Sequence, residues 1–240
     1  LITAHADVVG SLLRPPELLE AQDQLAAGTI SPQQFKRIED RAVDSAIALQ
    51  EEVNLQVVTD GEMRRQSFQS QMTAAVSGFG EFTLDAFLWG HWYDEEGIHR
   101  TPRPRRLGVV AKLVRQHYLS VDEFVYLKTK TNHTAKITLP SPGLWVNFWS
   151  AKHSKAAYAT LDSFLADIVQ ILRDEIKELI RLGATYIQLD APHYGLLLDP
   201  KTRRFYERQG WRLDQWLSLG VELDNAVMEG FPGVTFGFHV

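Results

Sequence analysis

The feature that most restricts this chain is a helix that runs straight into a strand, and it occurs twice. Leu161, Phe164, Leu165, Ile168, Leu172, Ile176 and Leu179 recur at three- and four-residue steps, with Asp167, Arg173, Asp174, Lys177 and Glu178 on other faces. Residues three and four apart share one face of a helix, so the spacing predicts an amphipathic helix over Leu161–Leu182. Gly183 suits the position just past a helix end. "ATYIQLD" follows at once, a short strand pattern that ends at Asp190. Earlier, "SPQQ" has the form of a capping box, with Ser31 as N-cap, Pro32 in the first helical position and Gln34 reaching back. The helix it opens carries Phe35, Ile38, Ala42, Ala46 and Leu49 on one face and leads through "VNL" into "QVVTDGE". Helix then strand is one half of a βαβ unit, and its repetition calls for a parallel sheet covered by helices.

Four more segments read as strands: "ADVVGS", "RRLGVVAKL" around Leu107–Ala111, "KITLP" at Lys136–Pro140, and the terminal "VTFGFHV". A helical stretch over Leu213–Met228 precedes the last of them, and a short one ("SVDEFVYLKT") separates "RRLGVV" from "KITLP". Two α/β architectures fit this alternation, a doubly wound open sheet and a (β/α)₈ TIM barrel. "VVGSLLRP" after the first strand has neither glycine-rich phosphate loop, which argues against a nucleotide-binding open sheet. A barrel of eight units takes about 250 residues. Six units already fill these 240, so the count predicts an incomplete barrel, with strands seven and eight lying beyond Val240. Residues 1–240 thus read as one barrel domain. Within it, residues 78–106 ("GFGEFTLDAFLWGHWYDEEGIHRTPRPRR") read as a loop excursion between the second and third strands. Its basic cluster, Arg100, Arg103, Arg105 and Arg106, is offset by Asp94, Glu95 and Glu96.

Composition narrows the partners. A formal net charge of −5 provides no general attraction to nucleic acid or to an anionic membrane. No apolar run approaches the ~18 residues of a membrane span. "LITAHADVVGS" lacks the basic and apolar regions of a secretion signal, so the cytoplasm is the expected compartment. With no cysteine, these residues offer neither a disulfide nor a thiolate ligand.

In a parallel α/β protein ligands bind beyond the carboxyl ends of the strands. Those ends carry Ser11 and Arg14, then Asp60, Glu62, Arg64 and Arg65, then Asp190 and His193, then His239. Asp60 before Gly61 reads as a turn residue, whereas Glu62 has no local turn role and Asp190 closes an apolar strand. Both are candidates for holding a cation or an ammonium group. His193 and Tyr194 read as loop packing, and His239, taken alone, as a packed core histidine.

"ADVVGSLLRPPELLEA", "VVTDGEMRRQSF", "KITLPSPG", "YIQLDAPHYG" and "GFHV", in that order, resemble the cobalamin-independent methionine synthase family, and most of all its single-barrel, methionine synthase II-like members. The resemblance runs from Ala6 to Val240. It implies an eight-stranded barrel enzyme of the 5-methyltetrahydropteroyltriglutamate–homocysteine S-methyltransferase type, in which zinc binds the substrate thiol as a thiolate. Matched residue by residue, Ser11 touches the amino-acid part of the thiol substrate, Glu62 binds its amino group, and Asp190 has a similar role. His239 matches the histidine of a His-x-Cys zinc pair, while Phe148 or Trp149 would supply the aromatic support of the pterin. The remaining zinc ligands would follow Val240, so an isolated chain of these residues is expected to be inactive. The implied partners are a small-molecule thiol and a methyl donor. The family's usual Asp-Glu-Pro reads Asp190-Ala191-Pro192 here, and Leu196 stands where a folate-contacting acid is usual. These departures leave open a different donor, or alkyl transfer from an electrophile such as an epoxide to a thiol such as coenzyme M. A non-catalytic binding barrel is the reading from outside enzymology.

Overall fold

The computed structural model describes residues 6–66, 70–81, 107–208 and 212–240. Along the chain they form α1 (Pro16–Ala26), α2 (Pro32–Glu52), β1 (Val57–Val58), α3 (Ser70–Ala75), β2 (Val76–Glu81), β3 (Leu107–Arg115), α4 (Val121–Lys130) and β4 (Thr134–Pro140). A 3₁₀ turn over Pro142–Phe148 follows, then α5 (Leu161–Arg181), β5 (Tyr186–Asp190), α6 (His193–Leu196), α7 (Pro200–Arg208), α8 (Leu213–Met228) and β6 (Thr235–His239).

Four strands make a parallel sheet in the order β1-β4-β5-β6. Its register sets Pro140 beside Asp190 and Asp190 beside His239, so the ends of three strands lie level with one another. Because side chains alternate along a strand, Ile137, Leu139, Ile187 and Leu189 occupy one face and Lys136, Thr138, Gln188 and Asp190 the other. All eight are buried. The apolar face packs under α5, whose seven predicted apolar positions are all buried, and the same cluster takes in Trp216 and Val227 of α8. The polar face is the interior of a barrel wall.

A smaller cluster joins α1, α2, β1 and α4 through Leu18, Val43, Ala46, Ile47, Val58 and Leu127. The predicted capping box forms, with Ser31 accepting from the Gln34 backbone and Gln34 from that of Ser31. The buried face of α2 is rotated from the expected one. It is centred on Ala46 and Gln50, which places Leu49 at the surface, 54% exposed.

Two of the six expected strands lie outside the parallel sheet. "ADVVGS" forms no ladder. Its Val8 and Val9 carbonyls instead accept from the side chains of Lys136 and Gln188, and Leu12 N–H donates to the Gly61 carbonyl. β3 pairs antiparallel with β2, Val76 opposite Arg115 and Glu81 opposite Leu107, in a separate two-stranded ribbon. The first four residues of the expected 78–106 excursion are therefore strand, and residues 82–106, with their arginine cluster, lie outside the described residues. Among the described residues no helix is long and apolar enough to cross a membrane.

Candidate functional site

The site begins where α2 grips the end of β1. Buried Gln50 donates to the Thr59 carbonyl at 2.8 Å and accepts from its N–H at 2.9 Å, fixing the point at which the strand turns. Asp60 Oδ1 then accepts from Glu62 N–H (2.9 Å), and Thr59 Oγ1 from Gly61 N–H (3.1 Å). Gly61 and Glu62 both adopt left-handed backbone, with φ of 68° and 54°. For glutamate this conformation is unfavourable by about 1 kcal/mol or more, and it persists because the turn is over-determined by these bonds. Its effect is to direct the Glu62 carboxylate inward, where it is 1% exposed.

Both oxygens of that carboxylate are engaged. Ser11 donates to Oε2 at 2.5 Å, and Thr138 and Arg65 donate to Oε1 at 2.6 and 3.0 Å. Arg65, fully buried, bridges to Glu123 through Nε and Nη2 (3.0 and 2.6 Å) and to the Thr138 carbonyl. Burial raises the Glu123 carboxyl, against the pull of Arg65. Arg14 closes the arrangement from outside by donating to the backbone carbonyls of Glu62 (3.0 Å) and Arg65 (2.5 Å). Beside it a crevice of about 520 Å³ opens between α1 and α2, walled by Arg14, Phe35, Glu39, Arg64 and Gln66 among others.

Across the sheet, Asp190 and His239 are neighbours in register, and Asp190 Oδ1 lies 3.2 Å from His239 Nδ1. Gln188 donates to the same Oδ1 at 2.5 Å. Burial raises the Asp190 carboxyl; the Gln188 bond opposes this, the negative charge of Glu62 adds to it, and His239 pulls it down.

Four of the residues singled out from sequence, Ser11, Glu62, Asp190 and His239, are therefore two bonded pairs at the carboxyl end of one sheet. Phe148 packs in the core against Trp145 and Phe79, with ring centroids 4.7 and 5.9 Å away, and the Trp149 indole donates to the Tyr158 carbonyl at 3.0 Å. Asp60 has the expected turn role. Thr138, Arg65, Glu123, Gln188 and Lys136 form the rest of the site and were not anticipated as a group. The signal for part of it was present: "KITLP" and "YIQLD" put polar residues at every second position of strands buried on both faces.

The amino-acid sequence matches the family model described as "Cobalamin-independent synthase, Catalytic domain" over residues 1–218. The chain belongs to this family. Among curated relatives, the Bacillus subtilis (strain 168) uncharacterized protein YxjH is 30% identical over 98% of this chain and 61% of its own length. Methionine synthase of Thermococcus kodakarensis is 26% identical over 97% of this chain and 60% of its own. The chain thus spans about three-fifths of the length of these relatives. A Listeria monocytogenes protein assigned as a vitamin-B12-independent methionine synthase superposes with a TM-score of 0.72 at 20% identity, covering 98% of this chain and 64% of that one. A B12-independent methionine synthase from Shewanella sp. W3-18-1, in complex with selenomethionine, gives 0.63 at 18% identity, over 88% and 53%. The fold is the TIM-barrel type of this family, with the barrel incompletely closed.

Proposed function

We propose that this chain is the thiol-substrate half of a zinc-dependent methyltransferase, the transfer of a methyl group to homocysteine or a related aminothiol. The observation that carries the reading is the pairing of Ser11 with Glu62 and of Asp190 with His239 on one barrel mouth. Glu62 and Asp190 supply two buried carboxylates to an α-ammonium group, and Ser11 lies against Glu62 where the amino-acid end would rest. Anchored there, a short thiol has its sulfur as the part free to extend toward His239, so orientation comes from the protein rather than from collision.

The chain's donors fit one corner of a zinc site. His239 turns Nδ1 to a carboxylate, the usual arrangement behind a metal-bound imidazole, which leaves Nε2 for the metal. Among the described residues no group of three or more His, Asp or Glu side chains is placed to hold an ion. Zinc, when bound, keeps the thiol deprotonated at neutral pH, where a free thiol with a pKa near ~8.5 is mostly protonated. Ala191, fully buried where the family usually has glutamate, favours a donor other than methyltetrahydrofolate as the second reading. We place the enzyme in the cytoplasm, acting on small molecules.

Calorimetric titration of the complete gene product, with zinc present, tests this. Glu62→Gln and Asp190→Asn should each weaken L-homocysteine binding roughly tenfold to a hundredfold, the worth of one charge-assisted hydrogen bond. Binding of 4-mercaptobutyrate, which lacks the amino group, should change little. Wild-type affinity for homocysteine in both variants would refute the assignment.

A further inference from the structure

The buried face of β4 and β5 carries a chain of hydrogen bonds in which every donor is accounted for. Lys136, fully buried, uses all three ammonium protons: on Asp7 Oδ2 (2.8 Å), the Val8 carbonyl (2.6 Å) and Gln188 Oε1 (2.7 Å). An ammonium group cannot accept, so the Gln188 amide must turn its oxygen to Lys136 and its nitrogen away. That nitrogen spends its two protons on the Val9 carbonyl (2.6 Å) and on Asp190 Oδ1 (2.5 Å). A flipped amide would set NH₂ against NH₃⁺ and leave two acceptors unserved inside the barrel, a cost of several kcal/mol.

From this geometry we infer that Lys136 and Gln188 are positioning residues that lock Asp190 and, through it, the tautomer of His239. Asp190 Oδ1, held by Gln188, faces His239 Nδ1 and can only accept, so Nδ1 carries the ring proton and Nε2 presents its lone pair outward. Oδ2 accepts no hydrogen bond within the described residues and stays available to a ligand cation. The same relay ties down Val8 and Val9, three and two residues before Ser11, so one buried ammonium organises both ends of the site. The importance of this tautomer rests on the methyl-transfer reading, in which a metal-binding role requires a free Nε2. The orientation itself requires no metal.

Long-range ¹H–¹⁵N correlation spectra of the metal-free, ¹⁵N-labelled chain read the tautomer directly, at a pH where imidazole is neutral. The His239 signals are identified among the eight histidines by their loss in His239→Gln. Wild-type His239 should show a protonated Nδ1 and an unprotonated Nε2. In Gln188→Leu and in Lys136→Met the ratio of Nδ1–H to Nε2–H tautomers should fall roughly fivefold, the worth of one ordinary hydrogen bond. Circular dichroism would confirm that each variant is folded. A wild-type ring protonated on Nε2 overturns the proposal without any variant, as does a folded Gln188→Leu with unchanged His239 shifts. If the tautomer is as stated but homocysteine fails to bind the complete protein, only the methyl-transfer reading falls.

Discussion

His193 shows how a single buried group sets a condition on the fold. It is 8% exposed, stacked on Tyr194 with ring centroids 4.4 Å apart, and neither ring nitrogen has a hydrogen-bond partner. A Cβ on Gly143 would come within 2.5 Å of Nε2, so glycine is required for the ring to fit. Burial lowers its pKa from 6.5 to about 4. The unfolded chain therefore takes up a proton near pH 6.5 that the native protein refuses until about pH 4. Between those values the unfolded state binds more protons at this residue, and its contribution to stability falls as the pH falls. The loss should reach about 3 kcal/mol below pH 4. Urea titrations at a series of pH values should show this slope as the difference between the wild type and His193→Phe, because buried carboxyls such as Glu123, which slope the other way, are common to both. The variant should also be no less stable at neutral pH. His193 and Tyr194 read from sequence as loop packing; both rings do pack, but from the short helix α6 rather than from a loop. The unpaired nitrogens could be seen only once the neighbours were placed.

Among the elements, α5 is the one whose sequence and structure agree most closely. Its seven periodic apolar residues are all buried, and Thr160 and Ser163 form a reciprocal cap at its start. Glu175, on the same helix and fully buried, accepts from the backbone N–H groups of Leu119 and Ser120 at 2.7 and 2.8 Å, tying α5 to the start of α4. Ile176→Ala should cost about 2–5 kcal/mol, as for other large-to-small changes at fully buried sites. Thr160→Ala should cost about 1 kcal/mol. Chemical denaturation of the two variants, with an unchanged dependence on denaturant, checks both values. An Ile176→Ala loss as small as that of Thr160→Ala would show that the core relaxes around α5. The elements that departed from expectation are "ADVVGS" and β3. Each has the composition of a strand, but local pattern does not say which partner a strand will find.

For the whole molecule the governing fact is that, among the described residues, the parallel sheet has an open side. Among the described residues β6 pairs only with β5, and beside that edge Phe238 is 43% and Val240 68% exposed. An unpaired strand edge with apolar side chains is a template for another chain. Sedimentation velocity on this 240-residue chain should show association that grows with concentration and that is reduced in Phe238→Lys. A monomer at all concentrations would mean that the edge is covered.

How much was legible follows from the range of the interactions involved. Helix periodicity, capping and the strand-terminal acids are local, so the amino-acid sequence by itself determined α2, α5, α8, the parallel α/β class and the candidates Glu62 and Asp190, while Ser11 and His239 became candidates through the family resemblance. Only the tertiary structure decided that Ser11 bonds Glu62 across 51 residues and that Asp190 meets His239 across 49. It also decided that Phe148 belongs to the core, and that Lys136, a residue usually at the surface, sits in the barrel interior with all its protons engaged. These outcomes depend on strand order and register. Both are set by which distant segments together bury the most apolar surface while leaving the fewest polar groups unpaired, a condition no local window of sequence contains.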